Sequence, residues 1–160
     1  MRIPRFVRNV LIGIPIGFAF CDTVGYVARV DGISMQPALN PDLRYPDYVF
    51  LNRWSIRNQK KIQRGDIVCI TSPKVPNQTL IKRVVGLGGD IVDTHGYKTR
   101  DLQVPEGHCW LEGDHTGHSM DSNIFGPVSL SLIVAKATHI VWPPNRWQQL
   151  YSTKFNHESC

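Results

Sequence analysis

Short apolar runs separated by turn residues dominate most of the chain. The runs lie at 66–71, 79–85, 90–93, 108–112 and 132–142, and they are rich in Val, Ile and Leu. Gly and Pro residues typical of turns lie between them, and no stretch sustains the 3.6-residue period of an amphipathic helix. The pattern predicts a strand at each of the five places and a mainly β domain.

The N-terminal region has a different pattern, with one long apolar stretch. Residues 10–21 contain no charged side chain, and a second apolar stretch follows Asp22 as far as Val30. The first stretch alone is shorter than the ~20 residues that a spanning helix needs, but the two together could cross a bilayer. A carboxylate at the centre of such a helix costs roughly 2.5–3.5 kcal/mol, so we expect Asp22 near an interface or against a partner. We interpret residues 1–30 as a basic segment and membrane anchor.

Positive charge before this stretch predicts its orientation. Arg2, Arg5 and Arg8 precede it, and the positive-inside rule keeps such residues on the inner side of the membrane. Everything after about residue 30 then faces outward. A cleaved secretory signal is the alternative, because it also combines a basic start with a short apolar run. No clean small-x-small cleavage site ends the run, which favours an uncleaved anchor.

The chain is long enough for one domain with a hydrophobic core. Its 160 residues are 42% hydrophobic and 19% charged, which is typical of a globular protein. We assign residues 31–147 to the folded domain and residues 148–160 to a polar C-terminal tail. The net charge of +5 makes anionic lipid and nucleic acid candidate partners. Beyond the N-terminal arginines the basic residues are scattered, which favours membrane lipid and argues against nucleic acid.

The cysteines and histidines form no recognisable metal motif. The four cysteines lie far apart and never as CxxC, at Cys21, Cys69, Cys109 and Cys160. They are expected to be core or terminal thiols, although one disulfide pair stays open. His115 and His118 lie on a Gly-containing segment whose spacing imposes no metal geometry, and HExxH is absent. We predict neither a metal nor a cofactor.

Ser34 is a candidate nucleophile because of its local sequence. It follows Gly32 closely and precedes Met-Gln-Pro, so the chain turns sharply there and leaves the backbone approachable. A serine in such a turn is usually structural, so this observation is weak on its own. No GxSxG elbow surrounds any serine of the chain, which lowers the case for a Ser-His-Asp triad.

Lys82 is a candidate base because it falls within an otherwise apolar predicted strand. Alternation directs Lys82 and Arg83 to opposite faces, so one of them points toward protein if the strand is central. On an edge strand both would be solvated. A lysine of ordinary pKa is only about 0.1% neutral near pH 7.5, too little for an efficient base. Burial can lower a lysine pKa by about 3 to 5 units, and a neutral Lys82 could then accept the Ser34 proton.

Four segments together resemble the type I signal peptidase family in order and spacing, across roughly residues 25–147. They are SMQP at 34–37, GDIV at 65–68, KRVVGLGGD at 82–90 and GDHTGHSMDS at 113–122. The last is dense in short polar residues, as functional loops are. The resemblance implies an antiparallel β domain of the signal-peptidase type with an N-terminal membrane-anchoring helix.

The resemblance also implies a role for individual residues. Ser34 and Lys82 would form the catalytic dyad of a serine endopeptidase. Ser119 would hydrogen-bond and orient the lysine amine, and Asp121 would brace the loop that carries it. Met35 would line the substrate groove.

Four positions depart from the family pattern. The backbone N–H of Ser34 would supply one oxyanion donor, but the helping hydroxyl two residues earlier is absent because that position is Gly32. Gly88 and Ala38 stand where the family often has Pro and Thr. Asn123 replaces the arginine that often pairs with the loop aspartate, which weakens a structural salt bridge rather than the dyad.

The segment HSMDSN followed by FGPV is most similar to the mitochondrial inner-membrane branch of the family. That likeness implies a single-pass enzyme facing the intermembrane space, which removes N-terminal targeting segments from precursor proteins. It also implies a heterodimer with a related protease subunit. A bacterial plasma-membrane signal peptidase and a catalytically idle stabilising subunit are the alternatives.

Overall fold

The computed structural model describes residues 4–57, 62–115, 117 and 119–152. An N-terminal helix, α1 (Arg5–Thr23), precedes a domain that consists mainly of strands. In chain order the strands are β1 (Gly25–Arg29), β2 (Tyr48–Asn52), β3 (Ile67–Thr71), β4 (Thr79–Leu87), β5 (Ile91–Asp93), β6 (Asp101–Gln103), β7 (His108–Glu112), β8 (Val128–Ser129), β9 (Ile133–Trp142) and β10 (Gln148–Gln149). A short helix, α2 (Ser122–Phe125), lies between β7 and β8.

One antiparallel sheet joins most of these strands. Its order is β1-β2-β9-β3-β4-β7-β8, and β10 pairs with β9. Strands β5 and β6 form a separate two-stranded ribbon. Each pairing among the described strands is antiparallel, which confirms the predicted mainly antiparallel β domain.

Strand β3 lies at the centre of the packing, with apolar side chains buried on both of its faces. Ile67 and Cys69 belong to one core cluster, whereas Val68 and Ile70 belong to another. Burial on both faces explains why this strand is a continuous apolar run rather than an alternating one. The predicted thiols Cys69 and Cys109 are both buried and free.

The N-terminal region differs from one continuous anchor over residues 1–30. Helix α1 ends at Thr23, and the chain enters β1 at Gly25. The φ of Gly25 is 152°, a conformation that residues with a Cβ rarely adopt. β1 then pairs with β2, so the second apolar stretch belongs to the sheet. Among the described residues, no helix is both long and apolar enough to cross a membrane. Asp22 pairs with Arg53 at 2.7 Å, which gives it the expected partner.

The C-terminal segment contributes more to the fold than a polar tail does. β10 pairs with β9 beyond residue 147, and Leu150 N donates to Thr138 O at 2.8 Å. Leu150 also packs against the core cluster that contains Cys69, and Ser152 Oγ donates to the buried Asp66. The chain is therefore folded as far as Ser152, while residues 153–160 lie outside the described part.

Candidate active site

Ser34 lies in the connection between β1 and β2, a long loop that is closed at its base. Val30 N donates to Asp47 O at 2.8 Å, which continues the pairing of β1 with β2. Gly32 has φ of 88°, a left-handed conformation that favours glycine, and it lets the chain turn just before Ser34. Met35 is buried in the core and anchors the loop immediately after the serine.

Lys82 lies on β4, which is paired on both sides by β3 and β7. Its side chain is only 2% exposed, and its Nζ lies 2.7 Å from Ser34 Oγ. Burial lowers the pKa of Lys82 from its ordinary value of 10.5, while the carboxylates of Asp121 and Asp114 oppose that shift. A hydroxyl within hydrogen-bond distance of a desolvated amine is the arrangement that activates a serine nucleophile.

Arg83, the next residue of β4, is also buried but is fully paired. Its guanidinium contacts both carboxylate oxygens of Asp114, at 2.7 and 2.6 Å, and donates to Gly65 O at 2.9 Å. Sequence alternation required only one of the two basic residues to point toward protein. The Asp114 partner was missed because it lies 31 residues away in the chain.

The loop after β7 contacts the serine loop through its backbone. His115 N donates to Ser34 O at 3.1 Å. Asp121 braces this loop, since its carboxylate accepts from Gly113 N and from Asn123 N, both at 3.1 Å. The second bond caps helix α2, so one buried carboxylate connects the start of the loop to the helix that ends it.

Ser119 lies in the site but makes no contact of the expected kind. Its Oγ is buried and has no hydrogen-bond partner among the described residues, so the expected bond to the Lys82 amine is absent. A Cβ added at Gly113 would lie 2.3 Å from Ser119 Oγ and 2.4 Å from Ser34 O. Gly113 is therefore the point where the two loops pack most closely. Thr116 and His118 of the same loop lie outside the described residues.

Asn123 connects this loop to its surroundings where the family often has an arginine. Its Nδ2 donates to Glu112 Oε1 at 3.1 Å and to Asp121 Oδ1 at 3.3 Å. Its Oδ1 accepts from His95 N at 2.7 Å, which attaches the segment after β5. The Asn123 amide therefore makes three hydrogen bonds, two of them to carboxylates, in place of the ion pair that an arginine would form with Asp121.

A groove leads to the serine along the beginning of β4. A cavity of about 70 Å³ is lined by Gly32, Ser34, Met35 and Lys82, among others. It shares Val30, Asp31 and residues 79–81 with a larger cavity of about 370 Å³. The two cavities therefore form a continuous depression that ends at Ser34. Within the described ranges, no cluster of His, Cys, Asp and Glu could hold a metal ion.

Comparisons with known proteins show the family of the chain. A profile of the family described as "Signal peptidase, peptidase S26" matches residues 3–100 and 94–142. The chain is 56% identical to mitochondrial inner membrane protease subunit 2 of Danio rerio over 146 residues, 91% of this chain and 79% of that protein. It is 42% identical to the subunit 2 of Saccharomyces cerevisiae over 149 residues, 89% and 84% of the two chains.

Two more distant matches were found. Mitochondrial inner membrane protease subunit 1 of Schizosaccharomyces pombe is 34% identical over 122 residues, 76% of each chain. Among solved structures, a signal peptidase I from Enterococcus faecalis aligns with a TM-score of 0.40 and 24% identity, over 47% of this chain and 95% of that one. The profile match and the identity to the curated relatives show that the chain belongs to the S26 signal peptidase family and is a serine peptidase.

Proposed function

We propose that this chain is a membrane-attached endopeptidase of the mitochondrial inner membrane in which Ser34 is the nucleophile and Lys82 the general base. It removes N-terminal targeting segments from precursor proteins. The observation that carries the proposal is the 2.7 Å separation of Lys82 Nζ and Ser34 Oγ at a buried amine. The names of the relatives support the substrate class and the location.

The first half of the reaction forms an acyl-enzyme. The neutral Lys82 amine accepts the Ser34 proton as Oγ bonds to the carbonyl carbon of the scissile peptide. The carbonyl oxygen becomes an oxyanion, to which the Ser34 backbone N–H donates. The Lys82 ammonium then gives its proton to the departing amine as the C–N bond breaks. The N-terminal part of the precursor stays esterified to Ser34.

The second half regenerates the enzyme. Lys82, neutral again, accepts a proton from a water molecule as that water attacks the ester carbonyl. The ammonium returns the proton to Ser34 Oγ when the ester bond breaks, and the targeting segment leaves as a carboxylic acid. A lysine serves both steps only if its pKa lies low enough for the neutral form to be populated, and burial lowers it in that direction.

The supporting residues have distinct parts in this proposal. Asp121 holds the loop after β7 in place, and the Ser119 hydroxyl accepts a hydrogen bond from the Lys82 ammonium that forms when Ser34 gives its proton to Lys82. Met35 lines the groove beside the serine, and Gly32 lets the substrate backbone approach closely. These residues fall within 31–147, the proposed catalytic domain.

The proposed setting rests on α1 and on the relatives. Helix α1 carries many exposed apolar side chains, including Phe6, Leu11, Ile16 and Phe18. We propose that α1 attaches the enzyme to the membrane, with Arg5 and Arg8 on the matrix side and the catalytic domain in the intermembrane space. Because α1 alone is not long and apolar enough to span a bilayer, the proposed single pass rests on its exposed apolar surface and on the relatives. Relatives named subunit 1 and subunit 2 support a heterodimer with a related subunit.

Cleavage of a precursor by the full chain with its partner subunit tests the proposal. Ser34→Ala and Lys82→Met are expected to lower kcat by about 10⁴-fold or more, as losses in catalytic dyads and triads do. Ser131→Ala and Lys74→Met, at exposed positions, are the matched controls and should retain full turnover. If Ser34→Ala restored processing in cells that lack the chain, the chain would be an idle stabilising subunit instead.

A further inference from the structure

An ion pair between a fully buried aspartate and a partly exposed arginine holds the loop that carries Ser34. Asp47 is fully buried, and its carboxylate contacts Arg146 Nε at 2.8 Å and Nη2 at 2.9 Å. We infer that Asp47, Asn40 and Arg146 are positioning residues that set the distance between Ser34 and Lys82. The inference rests on the proposed function of Ser34, but the contacts themselves do not depend on it.

Asn40 and Asp47 connect the two ends of the loop. Asn40 N donates to Asp47 Oδ2 at 2.8 Å, and Asp47 N donates to Asn40 Oδ1 at 2.7 Å. The Asn40 amide also donates to Val30 O at 2.7 Å and to Gly32 O at 3.2 Å. One side chain thus fixes the backbone on both sides of Ser34, the nearer contact only two residues away.

Arg146 adds a contact from outside the loop. It ends the turn Pro144–Arg146 that follows β9, and its Nη2 donates to Ala38 O at 3.1 Å in addition to the Asp47 carboxylate. A planar guanidinium can make these contacts together, whereas a lysine ammonium makes them singly. The loop is therefore held at its middle and its end by a residue of the last part of the sheet.

This bracing matters because Ser34 lies in no strand. Sheet pairing fixes Lys82 on β4, whereas the position of Ser34 depends on the loop. A displacement of about 1 Å between reacting groups can cost about 100-fold in rate. Such a displacement lowers kcat and leaves KM nearly unchanged, because the groove along β4 still binds substrate.

A second buried ion pair serves as an internal control. Asp66 is also fully buried and contacts Lys136 Nζ at 2.7 Å. Its carboxylate accepts hydrogen bonds from Gln63 N and Ser152 Oγ, and among the described residues it forms no hydrogen bond or ion pair with residues 31–40. Lys136→Met therefore removes a cation from a buried carboxylate, as Arg146→Met does, without touching the loop that carries Ser34.

Hydrogen exchange of the full chain tests the bracing without assuming catalysis. Arg146→Met and Arg146→Lys should speed exchange of peptides covering residues 31–40 by about tenfold or more, in line with local opening of a less stable unit. Lys136→Met should leave those peptides unchanged. Equal exchange at 31–40 in wild type and both Arg146 variants overturns the inference.

Kinetics at a temperature well below every Tm complete the test. Arg146→Met is expected to lower kcat about 100-fold with KM within about threefold, Arg146→Lys to lose less, and Lys136→Met to retain kcat. Guanidinium at millimolar concentration should restore part of the kcat of Arg146→Ala. If kcat falls equally in Arg146→Met and Lys136→Met, or follows Tm alone, the residues are merely structural. Retained activity of Ser34→Ala would instead overturn the proposed function and leave the exchange result to stand by itself.

Discussion

Lys82 and Arg83 are neighbouring residues of β4, and both are buried basic side chains with different partners. Arg83 is 7% exposed, and its guanidinium contacts the Asp114 carboxylate. Lys82 is 2% exposed, and its amine contacts the Ser34 hydroxyl. Arginine stays protonated in proteins, so its burial requires a counter-charge. Lysine can release its proton instead, and that release is the property that a general base needs.

The comparison also separates stability from chemistry. The Asp114 carboxylate that neutralises Arg83 is also one of the two charges that raise the pKa of Lys82. Because Arg83 holds Asp114 in a bidentate pair, the arginine screens the lysine from part of that attraction. The face of β4 with the ion pair maintains the fold, and the face with the amine is available for the reaction.

The largest expected effect on stability comes from breaking the ion pair between Arg83 and Asp114. Arg83→Met leaves Asp114 largely buried without its cation and should lower the free energy of unfolding by about 3–5 kcal/mol. Urea denaturation of the full chain measures the loss. Arg44→Met, which breaks an exposed bidentate pair with Asp42, is the matched control and should leave the free energy of unfolding nearly unchanged, because solvent screens the pair. Equal losses in the two variants would mean that burial of the pair has no special weight.

A methyl group at the contact between the two site loops should affect turnover strongly. In Gly113→Ala, the added Cβ would lie against Ser34 O and the Ser119 side chain at distances that force a shift. We expect kcat to fall about 100-fold through displacement of Ser34 from Lys82. Gly13→Ala, where the added Cβ meets nothing within 4 Å, is the control. Unchanged kcat in Gly113→Ala would show that the packing of these loops does not set the reactive geometry.

Lys82→Met should have a smaller effect on stability, opposite in sign to that of Arg83→Met. Burial lowers the pKa of Lys82 in the folded state below 10.5, so the unfolded chain binds more protons between the folded pKa and 10.5. The stability of the wild type therefore rises with pH across this range, and below it the folded protein bears the full cost of the buried charge. Removing the amine should therefore raise Tm at neutral pH by about 2–4 °C, the equivalent of about 1 kcal/mol. The gain should shrink as pH approaches 10.5, and a gain that is absent at neutral pH would contradict the account.

The strands that could be predicted from the sequence are those whose residues form continuous apolar runs. The runs at 66–71 and 132–142 correspond to β3 (Ile67–Thr71) and β9 (Ile133–Trp142) almost residue for residue. Strands β1, β2, β6, β8 and β10 were not predicted. Their residues are few or carry mixed patterns, and they become strands because they pair with other strands of the fold.

The site was predictable in part for a similar reason. The local sequence around Ser34 and Lys82 is a weak signal that the family resemblance strengthened. The structure brings the two side chains within hydrogen-bond distance, while their catalytic roles stay predictions. The braces of the serine loop carry no local signal. Asp47 and Arg146 are separated by 99 positions, and the pairing of β2 with β9 makes them neighbours. Ser119 was expected on Lys82, but its hydroxyl packs at Gly113 instead.

Direct titration of the Lys82 amine tests the central claim most directly. Nitrogen and carbon NMR of the full chain, with Lys82 assigned through Lys82→Arg, reports the pKa of this one amine. The account predicts a pKa below 10.5, with the rise of kcat/KM with pH following the same titration. A Lys82 amine that titrates at or above 10.5, while kcat/KM rises at lower pH, would contradict the claim that Lys82 is the base for Ser34.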